Sequence, residues 1–211
     1  MIKKTLAVAI GAALIASATG SVANENHVSA GPNREAFYGD LHLHTNYSFD
    51  AYVLFGAKAD PNDAYKFARG EAVDYLGEKV KRHEPLDFLA VTDHSENIGV
   101  FNTLEDPNSQ LSQSDFGKAL QDDKERTKTF LKLVGSLRKG GGGIPGVDSK
   151  ALSESAWQRE INAANAHYQP GKFTTFVAYE WTAMPDGQNL HRNVIFKGDK
   201  APNPFTAIDS D

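Results

Sequence analysis

The stretch Leu41-His42-Leu43-His44 alternates an apolar and an imidazole side chain over four positions. Successive side chains of an extended chain leave to opposite faces, so the two leucines share one face and the two histidines the other. Phe37 to Leu43 therefore reads as a short strand that turns leucine to a core and brings two imidazoles to its end. Two nitrogen ligands on one face can share one metal ion; two solvent histidines on a half-exposed strand are the plain alternative.

The chain ahead of this strand has the layout of a secretory signal peptide. Lys3 and Lys4 precede the apolar run Leu6 to Ala16, and small residues lead to Ser21-Val22-Ala23, which sets cleavage after Ala23. The apolar run is too short for a comfortable membrane span, and no cysteine follows it for a lipid anchor. Residues 1–23 are accordingly expected to direct the chain to the periplasm or the medium without a stable membrane anchor. Residues 24–36 read as a polar leader, and 37–211 as the folded domain. Removing Lys3 and Lys4 and no acid takes the formal net charge from −5 to −7, which disfavours nonspecific nucleic-acid binding. With no cysteine, disulfides and thiolate sites are excluded, so a metal here needs nitrogen and oxygen ligands.

Beyond the first strand, Asp60-Pro61 is a helix start, and Ala64, Phe67, Ala68, Val73, Leu76 and Val80 follow at near-helical spacing. That predicts a helix over 61–83, with a break at Gly70. Leu86 to Val91 reads as a buried strand, with helices around Ser114 to Arg138 and Ser153 to His167. The run Gly140 to Gly146 lacks the Gly-Lys-Ser/Thr ending of a phosphate loop and reads as a connector. Lys172 to Glu180 and Leu190 to Phe196 are strand-like by their β-branched and aromatic content, joined by the turn sequence Met184-Pro185-Asp186-Gly187. The order is α/β.

Further polar residues fall at the ends of these strands. Asp50 follows the histidine pair by six residues, and Thr92-Asp93-His94 follows the strand Leu86 to Val91 at its C-terminal end. His94 is a candidate ligand, with Asp93 a candidate to orient a ring and hold its tautomer. Glu180 ends its strand, and a hairpin symmetric about Pro185 and Asp186 sets it opposite His191, close enough to share an ion; a bulge at Gly187 would shift the pairing by one residue. His27, His83 and His167 read as leader or helix-end residues.

The ordered combination Gly39-Asp40-Leu41-His42-Leu43-His44 through Asp50, Thr92-Asp93-His94, Tyr179-Glu180-Trp181 and His191-Arg192-Asn193 resembles the polymerase and histidinol phosphatase (PHP) superfamily. More closely it is similar to an exported bacterial branch, the domain-of-unknown-function 3604 family. The resemblance implies a distorted (β/α) barrel, incomplete in this chain, with two or three divalent ions (zinc, manganese or iron) at its strand ends. It implies His42 and His44 on a first metal, Glu180 bridging to a second that His191 also holds, and Asp50 and His94 on a third. Glu180 and Asp93 are then the candidates for catalytic roles. The superfamily draws further ligands from later strands, and residues 192 to 211 contain no histidine. The 211 residues are therefore expected to be the N-terminal part of a longer domain, weak in metal affinity and inactive alone. The implied activity is hydrolysis of a small anionic substrate, a phosphoric ester above all, by metal-activated water. An amidohydrolase acting on C–N bonds and a non-catalytic exported module, metal-binding or structural, are the competing possibilities.

Overall fold

A central strand carries the architecture. In the computed structural model, which describes residues 35–137 and 141–208, the elements run β1 (Gly39–Asp40), α1 (Phe49–Val53), α2 (Pro61–Ala68), β2 (Val73–Tyr75), β3 (Glu78–Val80) and β4 (Phe88–Ala90). After a 3₁₀ turn at Phe101–Glu105 come α3 (Gln110–Gln113), α4 (Asp115–Gln121), α5 (Arg126–Leu137), α6 (Ser149–His167), β5 (Thr174–Phe176), β6 (Ala178–Ala183) and β7 (Leu190–Ile195). The expected signal peptide and nearly all of the expected leader fall outside the described residues. No helix among the described residues is long and apolar enough to cross a membrane.

β4 lies between β1 and β5 and is parallel to both, with Asp40 beside Leu89 and Leu89 beside Thr175. Leu89, Ala90 and Val91 are almost wholly buried, as expected of a strand covered on both faces. Parallel neighbours require crossovers, and here α2 and α6 supply them and pack on each other. Asp60 caps α2 by accepting from the Asp63 N–H at 2.9 Å, with Pro61 in the first turn. Asp148 does the same for α6 through the Ala151 N–H at 3.0 Å, so that helix begins a turn before Ser153.

The chain is α/β in small sheets: this three-stranded parallel sheet and two antiparallel hairpins, β2–β3 and β6–β7. They do not close into a barrel among the described residues. Beyond Val177 the chain of β5 leaves its regular pairing with β4 and continues as β6, which keeps contact with that strand's continuation. The Glu180 N–H donates to the Asp93 carbonyl at 3.0 Å and the Ser95 N–H donates to the Glu180 carbonyl at 2.8 Å. The Thr92 N–H likewise donates to the Leu43 carbonyl at 2.8 Å. The chain past β1, the chain past β4, and β6 are thus laid side by side at the C-terminal edge of the sheet.

Two apolar clusters support this edge. One joins Tyr65, Leu89, Val91, Trp157, Ile161 and Tyr179 between the sheet and the helices α2 and α6; the other gathers Phe49, Phe101, Leu111, Phe130 and Leu133 among α1 and α3 to α5. Trp157 is buried, meets Tyr179 edge-on at 5.7 Å, and donates its indole N–H to the Pro202 carbonyl at 2.8 Å.

Several expected elements differ. Phe37 to Leu43 pairs as a strand only at Gly39–Asp40, and Leu41 is exposed, although Leu43 does pack on the core. The helix expected over 61–83 stops at Ala68, and Gly70 takes φ +76°, a conformation that ends helices. Residues 73–80 form a hairpin because Leu76 and Gly77 both adopt positive φ, as a type I′ two-residue turn requires, and Val73, Tyr75 and Val80 favour strand. The helix expected around 114–138 divides at Asp122, whose Oδ1 accepts from the Lys124 N–H at 2.8 Å in a local turn that competes with the helix. Lys172 to Glu180 is two strands in two sheets, parted at Val177. From Gly141 to Asp148 the glycine-rich connector has neither helix nor strand, and Asn97 donates from Nδ2 to the Gly142 carbonyl at 3.2 Å.

Gly99 combines φ +64° with a position where a Cβ would overlap that of Ala156 in α6. Gly99→Ala is expected to lower unfolding free energy by about 2 kcal/mol or more, adding backbone strain to overpacking. Urea unfolding followed by tryptophan fluorescence checks this.

Candidate metal centre

Thr92 and Asp93 fix the histidine-bearing loop to the end of β4. The Leu43 N–H donates to Thr92 Oγ1 at 3.1 Å. Asp93 is fully buried and receives three hydrogen bonds: from the Thr45 N–H (2.6 Å) and Ser48 Oγ (2.8 Å) at Oδ1, and from Thr45 Oγ1 (2.5 Å) at Oδ2. Ser48 Oγ in turn accepts from the His94 N–H at 3.0 Å. Burial pushes the Asp93 carboxyl up, against the hydrogen bonds from Thr45 and Ser48. The carboxylate expected to orient a ring, or to act in the reaction, is therefore occupied with backbone and hydroxyl groups of this loop.

Above it, the six expected ligands converge. His42 and His44 bring their Nε2 atoms to 3.2 Å of each other, although the strand ends before them. Glu180, on β6, is buried at the centre. Its Oε1 lies 3.3 Å from His42 Nε2 and 3.1 Å from His191 Nδ1, and its Oε2 lies 2.8 Å from His44 Nε2 and 3.3 Å from His94 Nδ1. Asp50, in the first turn of α1, faces His44 Nδ1 at 3.4 Å and His94 Nε2 at 3.6 Å. The His94 ring stacks on Phe49 with centroids 4.8 Å apart. His83 pairs with Glu84 on the surface, and His167 packs on Tyr65 beside Asn62, both away from this cluster. His27 lies outside the described residues.

His191 arrives by a register other than the expected one. It opposes Thr182, and Glu180 opposes Asn193. The connection runs over Met184 to Asn189, with Asp186 at φ 53° in a 3₁₀ turn, so the hairpin is centred one residue later than Pro185 and Asp186. Moving the centre by one residue moves the pairing by two, which keeps His191 on the face of Glu180 as its diagonal neighbour.

These side chains form three groups able to hold a metal ion: His42, His44 and Glu180; His44, Asp50 and His94; and His94, Glu180 and His191. Ligands about 2.1 Å from one ion stand about 3.0 Å apart in octahedral and about 3.4 Å in tetrahedral geometry. The contacts above span that interval. Glu180 Oε2 is buried and, despite the approach of His44, receives no aligned hydrogen bond, as expected of two atoms directed to a common third point. A neutral imidazole has one free lone pair, so His44 and His94 cannot each serve two groups at once, whereas a carboxylate can bridge. The first and third groups meet only at Glu180 and are compatible in that respect. Without thiolates, the imidazole and carboxylate set suits borderline divalent ions.

Four hydroxyl residues in and under the cluster, Thr45, Ser48, Thr92 and Thr182, were not among the expected site residues. The first three stand beside the ligand motifs as hydroxyls flanking His and Asp, a local signal; Thr182 has none, since only the hairpin register sets it against His191.

The charge balance without an ion is uneven. Burial opposes the imidazolium of His44, but the carboxylates of Asp50 and Glu180 hold its pKa up to about 10. Burial would raise Asp50 and Glu180, and their histidine neighbours hold both down instead. In the ion-free protein the His44 contribution to stability is complete below its ordinary value of 6.5 and is lost as pH rises toward about 10. The Asp50 and Glu180 contributions are present above their ordinary values of 3.8 and 4.5 and are lost as pH falls below them. A divalent ion must displace the His44 proton, so its affinity rises with pH across that upper window. We expect the melting temperature of the chelator-treated protein to fall from pH 6.5 to 10, and His44→Gln to flatten this limb. A wild-type limb as flat as that of the variant would refute the assignment.

No curated protein and no solved structure matches the chain. The sequence model of the family described as "Protein of unknown function (DUF3604)" matches residues 31–211, so the chain that builds this cluster belongs to the DUF3604 family.

Proposed function

We propose that this chain belongs to an exported, PHP-like metal-dependent hydrolase whose substrate is a small anionic molecule, a phosphoric ester above all. One observation carries the reading: Glu180, buried with Oε1 facing His42 and His191 and Oε2 facing His44 and His94, has the two oxygens and the central position of a carboxylate that bridges two ions. Divalent ions held there would lower the pKa of a bound water toward neutrality and offset charge developing on the substrate. The protein's own contribution is placement. His42 and His44 would hold one ion, Glu180 would link it to the neighbour of His191, and Asp50 with His94 would hold a third. His42 and His191 are the exposed members, so a substrate would approach from their side, while Phe49 backs His94. The acidic composition fits a protein that meets an anion through metal ions rather than through a basic patch.

Metal content by mass spectrometry tests the first half of this reading. Two or more zinc, manganese or iron ions per chain are expected in the purified protein, and their loss is expected in the His42→Ala, His44→Ala double variant. No ion in either would favour a non-catalytic module. Glu180→Gln, which keeps the shape and removes the bridging charge, is expected to weaken metal binding about 10- to 100-fold. Phosphomonoester and phosphodiester panels test the second half, and a fully metal-loaded protein that hydrolyses neither would remove the phosphoesterase assignment.

A further inference from the structure

The helix α1 presents Asp50 to the cluster from its first turn, and the face that carries Asp50 ends in Leu54. The Leu54 N–H donates to the Asp50 carbonyl at 2.9 Å, and helical residues four apart lie one above the other. A helical side chain leans toward the N-terminus and covers the turn before its own Cα, so Leu54 stands over Asp50. Leu54 is 47% exposed, and Phe55 beside it is 80% exposed. Both are held in place. The Ala57 N–H donates to the Ala51 carbonyl at 2.9 Å around a turn at Gly56, which takes φ +68°. Asn46, two residues after His44, donates its backbone N–H to the Ala59 carbonyl at 2.9 Å and its Nδ2 to the Lys58 carbonyl at 3.0 Å. The segment from Leu54 to Lys58 thus leaves the helix of one candidate ligand and returns to the loop of another.

Single exposed leucines are ordinary on a protein surface. Two adjacent apolar side chains fixed beside the carboxylate of a cluster bear on what that cluster receives. The Asp50 side chain is 29% exposed, so the centre is open on this side as well as past His42 and His191. Lys58, the one charged residue from Leu54 to Ala59, is occupied: its Nζ lies 2.6 Å from Glu105 Oε1 and 4.8 Å from the centroid of the Tyr52 ring. What the segment presents next to the centre is hydrocarbon. We propose that Leu54 and Phe55 are specificity-determining residues that receive an apolar substituent of the anionic substrate, which makes esters of aryl or alkyl alcohols the preferred class over esters of sugars and other polyols. The inference rests on the metal-centre reading given above. With the anionic group at the ions, the substituent runs along α1 from Asp50 toward Phe55 and loses its contact with water against the two side chains.

Phenylphosphonate and methylphosphonate share one anionic head group, and ester hydrolysis does not break their phosphorus–carbon bond, so their affinities isolate the substituent. The protein is loaded with zinc or manganese, freed of excess ion and assayed for metal content, and both probes are titrated by calorimetry. The wild type is expected to bind phenylphosphonate about 10-fold more tightly than methylphosphonate, the ratio that follows from removing roughly 60 Å² of apolar surface from water. That advantage is expected to be lost in the Leu54→Ser, Phe55→Ser double variant and kept in Leu131→Ser, an exposed leucine on α5. Circular dichroism checks that the variants fold as the wild type does. Methylphosphonate binding without a phenyl advantage, or an advantage that the double variant keeps, would overturn this inference and leave the anion-binding centre standing. Phenylphosphonate binding that survives removal of the ions by chelator would refute the link to the centre. A protein that takes up no ion, or that binds neither probe when loaded, would remove the reading of the centre and this inference with it, so the two failures are distinguishable.

Discussion

Everything at the C-terminal edge of the sheet depends on the buried Asp93 carboxylate. It replaces its lost hydration with one backbone N–H and two hydroxyls, all from the loop that follows the histidine pair. Leaving such a group unsatisfied costs more than any one of these bonds contributes, so the loop has one place to go. Because Ser48 also accepts from the His94 N–H, the same knot fixes the segment after β4. Ligands from two distant stretches of sequence are thus brought together by a group that touches none of them.

Glu180 reaches the cluster by a different route. β6 continues the chain of β5, but past Val177 it pairs with the continuation of β4 through Asp93 and Ser95. Its backbone hydrogen bonds therefore go to the residues on either side of His94, which fixes the carboxylate relative to that ring. Around it the ion-free protein balances two depressed carboxyls against one elevated imidazole, an arrangement held together by charge rather than by apolar packing. Removing either partner leaves a charge that burial penalises.

Much of the centre was legible from residue spacing. His42 and His44 needed only the two-residue period, and that survived although regular pairing stops at Asp40. His94 and Glu180 were found as polar groups closing apolar runs. His191 was found with the wrong partner, and an even slip in register left it on the correct face. Two things were out of reach. The segment 73–80 carries apolar residues compatible with a helix, and the positive φ of Leu76, which decides for a hairpin, is not marked by a residue that favours it. The hydroxyls of Thr45, Ser48 and Thr182 matter through contacts across 48, 45 and 88 positions of chain, and spacing names no partner at that distance.

The cluster is graded in exposure, from His42 at 53% and His191 at 40% to His94 at 5% and Glu180 at 2%. This gradient has a kinetic meaning. Side chains at the outer side would release and recapture an ion held here while the inner carboxylate and its strand stay in place. Exchange of such an ion with the medium would be limited by ligand dissociation, one bond at a time, and not by opening of the fold. An ion held there would equilibrate with its surroundings on the time scale of coordination chemistry while the chain remains folded.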